Sequence, residues 1–132
     1  MAIEWDDSLS TGVVEIDNEH KEWIRRFNEF DKMVMEKKGP EVILDALNFF
    51  DQYAEYHFSH EEASTQHFNN TFVEKNKSEH QKYRQQIMRI RDALHSFGEG
   101  IVQVMALKID LEDWLINHIS KTDVKVFKEG QA

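Results

Sequence analysis

Residues 41–68 read EVILDALNFFDQYAEYHFSHEEASTQHF, a run without glycine or proline. Val42, Ala46, Phe49/Phe50, Tyr53 and His57 recur at the i, i+3, i+4, i+7 spacing of an amphipathic helix. The run is bounded by Gly39-Pro40 on one side and Asn69-Asn70-Thr71 on the other. Its last turns carry His57 and Glu61, four apart and so on one helical face. A ligand-type pair on the inner stripe of a long helix belongs to a helical bundle, not to a sheet.

The flanking segments repeat the pattern. Residues 17–38 place His20, Trp23/Ile24, Phe27, Phe30 and Val34 on one face, with Asp17 as the expected N-cap and Lys37-Lys38 as a basic C-terminal end. Residues 73–96 give Asn76, His80, Tyr83, Ile87, Ile90 and Leu94. Residues 100–127 give Val104, Leu107, Leu111, Trp114/Leu115 and His118, after a break at Gly98 and Gly100. No segment sustains strand alternation. The prediction is an all-α, antiparallel up-down-up-down four-helix bundle in one domain over residues 1–132. Residues 1–16 form an extended arm packed on it through Trp5, Val13, Val14 and Ile16.

Composition narrows the function. With 132 residues the chain suits one domain with its own core. The absence of cysteine excludes a disulfide scaffold, a thiolate zinc site, an iron–sulfur cluster and a cysteine nucleophile. Asp+Glu number 25 against 16 Lys+Arg, a formal net charge of −9, which argues against nucleic acid as a partner. The N-terminus lacks a basic start and an apolar run, and no stretch is apolar enough to span a bilayer, so the expected location is cytoplasmic and no membrane is expected as a partner. The acidic side chains Glu15, Glu19, Glu22 and Glu29 read as ordinary solvated surface.

Seven histidines remain to be explained. Each inner stripe is interrupted at one end by a potential metal ligand: His20, His57 with Glu61, His80, and His118 with Asp123. Antiparallel hairpins about the three breaks set positions 20, 59, 80 and 118 at one level of the bundle. Polar groups buried at one level call for pairing or coordination. Imidazole and carboxylate donors without thiolate suit iron, zinc or manganese. One spacing is awkward. His118 and Asp123 are five apart, about 140° net on an ideal α-helix, so both face inward only if the helix widens or bends there.

At these residues the sequence resembles the hemerythrins, most closely the bacterial hemerythrin-like proteins. The resemblance rests on Ile3-Glu4-Trp5-Asp6 and Gly12-Val13 in the arm, on Ile16-Asp17-Asn18-Glu19-His20-Lys21, on His57-Phe58-Ser59-His60-Glu61-Glu62 as H-F-x-x-E-E, and on Trp114 to Asp123 as W-L-x-x-H-I-x-x-x-D. It implies a non-haem di-iron centre. His20 and His57 would hold one iron with an open position for O2, Glu61 and Asp123 would bridge, and His80 and His118 would hold the second iron. Trp23, Phe58, Leu115 and Ile119 would line the O2 pocket, with Trp114 beside it. The family has H-x-x-x-H at the start of the third helix, and here Asn76 takes the first histidine's place. Asn76 would offer a weak carbonyl oxygen or leave room for water, weakening the second iron. His60 borders the cluster, and His67 and His95 read as surface residues.

Two functional classes follow. One is an oxygen-binding protein for carriage, storage, delivery or sensing, taking O2 or another small diatomic ligand. The other is a di-iron enzyme with oxidase, peroxidase or nitric-oxide-handling activity, which the Asn76 departure favours. The first stands ahead because nothing resembles a substrate pocket larger than a diatomic molecule.

Overall fold

Gly39 opens the hairpin between the first two helices with φ +104°, a conformation that side chains with a Cβ rarely adopt, and Pro40 follows at the first helical position. In a computed structural model that describes residues 3–96 and 100–130, the elements run α1 Val14–Met35, α2 Pro40–Thr65, α3 Phe72–Leu94, α4 Gly100–Asn117, a π-helical turn His118–Asp123, and α5 Val124–Gly130. The last three are continuous, so the fourth rod of the bundle reaches Gly130. α1 packs on α2 and α4, and α3 packs on the same two, which closes the four-helix bundle. No strand occurs among the described residues, and none of their helices is long and apolar enough to cross a membrane. Gly98, expected to break the chain, lies outside the described residues.

Three local expectations are corrected. Asp17 does not cap α1. The helix starts a turn earlier, after Val13, which gives no side-chain cap. The Asp17 carboxylate instead turns to the arm, accepting bonds from Thr11 N–H (2.8 Å), Thr11 Oγ1 (2.7 Å) and Ser10 Oγ (2.5 Å). Val14 does not pack with the arm, because it lies on the outer face of α1 at 73% exposure. On α2 the buried stripe is Ile43, Leu47, Phe50, Ala54, His57, Phe58 and Glu61, while Val42 and Phe49 are exposed. Phe49 finds a surface partner in Arg26, whose guanidinium sits 3.8 Å above its ring.

The arm crosses α1 through paired bonds. Ile3 N–H donates to Asn28 Oδ1 (2.8 Å), and Asn28 Nδ2 donates back to Ile3 C=O (2.9 Å). Two apolar regions result. The larger holds Trp23, Phe27, Phe30, Phe50, Phe58, Tyr83 and Leu111 along the bundle. The smaller joins Ile16, Val73, Val126 and Phe127. On α1, α3 and the fourth rod the ligand-type residues lie between residues of these two regions.

Candidate metal centre

His20 comes from the start of α1, His57 and Glu61 from the last turns of α2, His80 and Asn76 from the start of α3, and His118 and Asp123 from the π-turn. All seven side chains are buried. Helical period alone aligns the first five. The π-turn aligns the last two: Val124 N–H donates to Ile119 C=O five residues back, widening the turn so that residues five apart share a face. This is the distortion that the His118/Asp123 spacing requires.

The two carboxylates divide the site into halves. In the first, Glu61 Oε2 lies 3.0 Å from His57 Nε2 and 3.4 Å from His20 Nε2, and Asp123 Oδ2 lies 3.0 Å from His20 Nε2. In the second, Glu61 Oε1 lies 3.2 Å from His80 Nε2, and Asp123 Oδ1 lies 3.1 Å from His118 Nε2. Each half thus gathers two imidazole nitrogens and one oxygen from each carboxylate, with ligand atoms within 4.8 Å of one another. His20, His57, Glu61 and Asp123 can hold one cation, and Glu61, His80, His118 and Asp123 another.

The halves differ in fit. His20 Nε2, His57 Nε2, Glu61 Oε2 and Asp123 Oδ2 are buried without a hydrogen-bond partner among the described residues. Unmet groups of this kind cost about 1–3 kcal/mol each, and four of them around one point fit a cation. In the second half, Asn76 Nδ2 donates to Glu61 Oε1 (2.7 Å) and to Asp123 Oδ1 (2.5 Å). An N–H donor stands there between the two carboxylate oxygens that a cation in this half would share.

Carboxylates outside the cluster orient three of the four rings. His57 Nδ1–H donates to Glu19 Oε1 (2.7 Å), His80 Nδ1–H to Glu62 Oε2 (2.9 Å), and His118 Nδ1–H to Glu79 Oε1 (2.7 Å). Such bonds fix each tautomer with Nε2 inward and raise its basicity. Glu19, expected to be plain surface, is buried and also bonds His60 Nδ1. The signal available was adjacency: Glu19-His20, Glu61-Glu62 and Glu79-His80 each put a carboxylate beside an inward residue, aimed at the next helix.

Charge follows geometry. Burial pulls the His57 imidazolium down, but the charge of Glu61 and the bond to Glu19 override it and hold the group up at about 9. For His118, burial is overridden by Asp123 and Glu79, and the group is held at about 10. Glu61 is pushed up by burial but driven well below the usual carboxylate range by its histidine neighbours. Without a cation, protons on His57 and His118 therefore offset the charge of Glu61.

Of the residues expected to line a ligand pocket, Trp23, Phe58, Leu115 and Ile119 are all fully buried. The Trp23 ring lies 5.4 Å from His57 and 6.3 Å from His118, and Phe58 stacks on His80 at 3.8 Å. Trp114 stacks on His118 at 4.5 Å and lines a surface groove of about 220 Å³ with Glu79 and His118. His67 and His95 are exposed, away from the cluster.

A four-helix bundle that brings two histidines to each end of a shared carboxylate pair is a metal-binding bundle in class. The chain belongs to the hemerythrin family, with residues 11–129 matching the family described as Hemerythrin HHE cation binding domain. It is similar to the bacteriohemerythrins of Pseudomonas aeruginosa strains LESB58 and UCBPP-PA14, 28% identical over 119 residues that cover 90% of this chain and 75% of theirs. The bacteriohemerythrin of Pseudomonas paraeruginosa strain DSM 24068 / PA7 stands at the same identity and coverage. No solved structure matches the chain significantly.

Proposed function

We propose that this protein binds two non-haem iron ions and, through them, O2 or another small diatomic ligand, for carriage, storage or delivery. The observation that carries this reading is the division of Glu61 and Asp123, one oxygen of each toward His20/His57 and the other toward His80/His118. His20 and His57 would hold the first iron, His80 and His118 the second, and the two carboxylates would bridge and offset charge. Iron, when bound, supplies a redox-active Lewis acid for the diatomic ligand.

The protein's own part is exclusion and positioning. Trp23, Phe58, Leu115 and Ile119 are fully buried and would keep bulk water from the cluster. Among the described residues the buried Trp23 indole N–H has no acceptor, which leaves one donor in that apolar layer. The deprotonation of His57 and His118 that iron binding requires makes uptake stronger as pH rises.

A second reading, a di-iron enzyme with oxidase, peroxidase or nitric-oxide-handling activity, is favoured by Asn76. Two imidazoles rather than three at the second iron would leave an additional open position for an exogenous ligand. The test is iron content after anaerobic ferrous reconstitution and desalting. Near two irons per chain, one of them more readily lost, is expected; zero iron in folded protein would contradict the reading.

A further inference from the structure

Asn76 runs against the chemistry of its neighbours. It is 1% exposed, and its Nδ2 serves the two carboxylate oxygens that face His80 and His118. Its Oδ1 is buried with no donor. The orientation follows from charge: between two carboxylates an amide presents N–H groups, not its carbonyl. Those N–H groups do part of what a cation between Glu61 Oε1 and Asp123 Oδ1 would do, and leave a carbonyl idle to achieve it.

A half-turn about the Cβ–Cγ bond of Asn76 exchanges the two ends. Oδ1 then faces the His80/His118 side as an acceptor, and Nδ2 leaves the carboxylates. We propose that Asn76 is a two-position amide gate on the second half of the site. With N–H inward it holds the carboxylates while only the first half is filled. With the carbonyl inward it completes the donor set for a second divalent cation. This inference rests on the reading of the cluster as a two-metal site. A histidine at this position has no such alternative, since its inward nitrogen is already a donor atom to the metal.

The gate makes the two cations bind unequally. The first enters the half in which all four ligand atoms lack hydrogen-bond partners among the described residues; in the other half only His118 Nε2 does. The second enters only as two buried charge-assisted bonds are given up, and we expect it to bind about 100-fold more weakly. Ligand chemistry that needs both metals is thereby tied to the supply of the second.

Zinc(II), which is diamagnetic, tests this on the metal-free protein. Calorimetry reads the two steps, and the side-chain NH2 resonances of ¹⁵N-labelled protein, assigned by their loss in Asn76→His, read the amide. The expected result is an unmoved, exchange-protected Asn76 NH2 pair at one equivalent and a shifted, exchange-exposed pair at two. Asn76→His should bring the two affinities within about tenfold of each other. Two equal steps in the wild type, an amide that moves with the first equivalent, or one that never moves while two zinc ions bind would overturn the gate and leave the metal site standing. No zinc uptake by folded protein would instead remove the two-metal reading, and the gate with it.

Discussion

Glu19, Glu62 and Glu79 each turn one imidazole so that its Nε2 faces inward. His20 differs, with no partner on its Nδ1. Removing one of these carboxylates should weaken metal binding without changing the ligands themselves. Glu19→Gln is expected to lower affinity at the His20/His57 half by about 10–100-fold, measured by chelator competition. A variant with unchanged affinity would mean that Glu19 does not tune His57. The same residues set a pH dependence in the metal-free protein. His57 and His118 have folded values raised above 6.5, so the stability they contribute is complete below about 6.5 and is lost as pH rises through about 9 to 10. Glu61 has a lowered value, so its contribution is present above 4.5 and is lost as pH falls well below that. Thermal unfolding of metal-free protein should therefore peak between about pH 4.5 and 6.5, while metal affinity keeps rising above that range. A metal-free Tm that rises toward pH 9 would contradict this charge assignment.

At the scale of elements, helical period made the apolar stripes of α1 and α3 legible residue by residue, because each is a single stripe on a polar helix. α2 was legible only in part. Apolar residues surround it, and which of Val42/Phe49 or Ile43/Leu47 faces inward is decided by neighbouring helices. The π-turn showed in the sequence as a conflict, two inward ligand types five residues apart, whose resolution only the backbone reveals. The orienting carboxylates were hidden because their partners lie on other helices. The end of α1 carries a separate liability. Lys37 closes the helix at φ +52°, with Lys37 N–H donating to Val34 C=O (3.1 Å) and Lys38 N–H to Met33 C=O (3.1 Å). Glycine suits that position better, so Lys37→Gly is expected to stabilise the protein by about 0.5–1 kcal/mol in denaturant unfolding. A loss of stability would show that the lysine side chain matters there.

The whole molecule brackets its polar cluster between two apolar regions, the long aromatic core and the small group of Ile16, Val73, Val126 and Phe127. The smaller group unites the first turns of α1 and α3 with α5, so it ties two helices that supply the cluster to the segment that follows the π-turn. Phe127→Ala should cost about 3 kcal/mol and speed metal loss to a chelator. A destabilised variant that retains metal as tightly as wild type would separate that group from the site. Fold and site thus share one design, in which four helices deliver histidine and carboxylate to one level and hydrophobic packing on both sides keeps them there. The most direct test of that design is the visible absorption of the ferrous protein before O2, after O2 and after deoxygenation, with iron counted in the same sample. The account predicts near two irons per chain and an absorption that appears with O2 and disappears on its removal; folded protein without iron, or immediate irreversible oxidation, would contradict it.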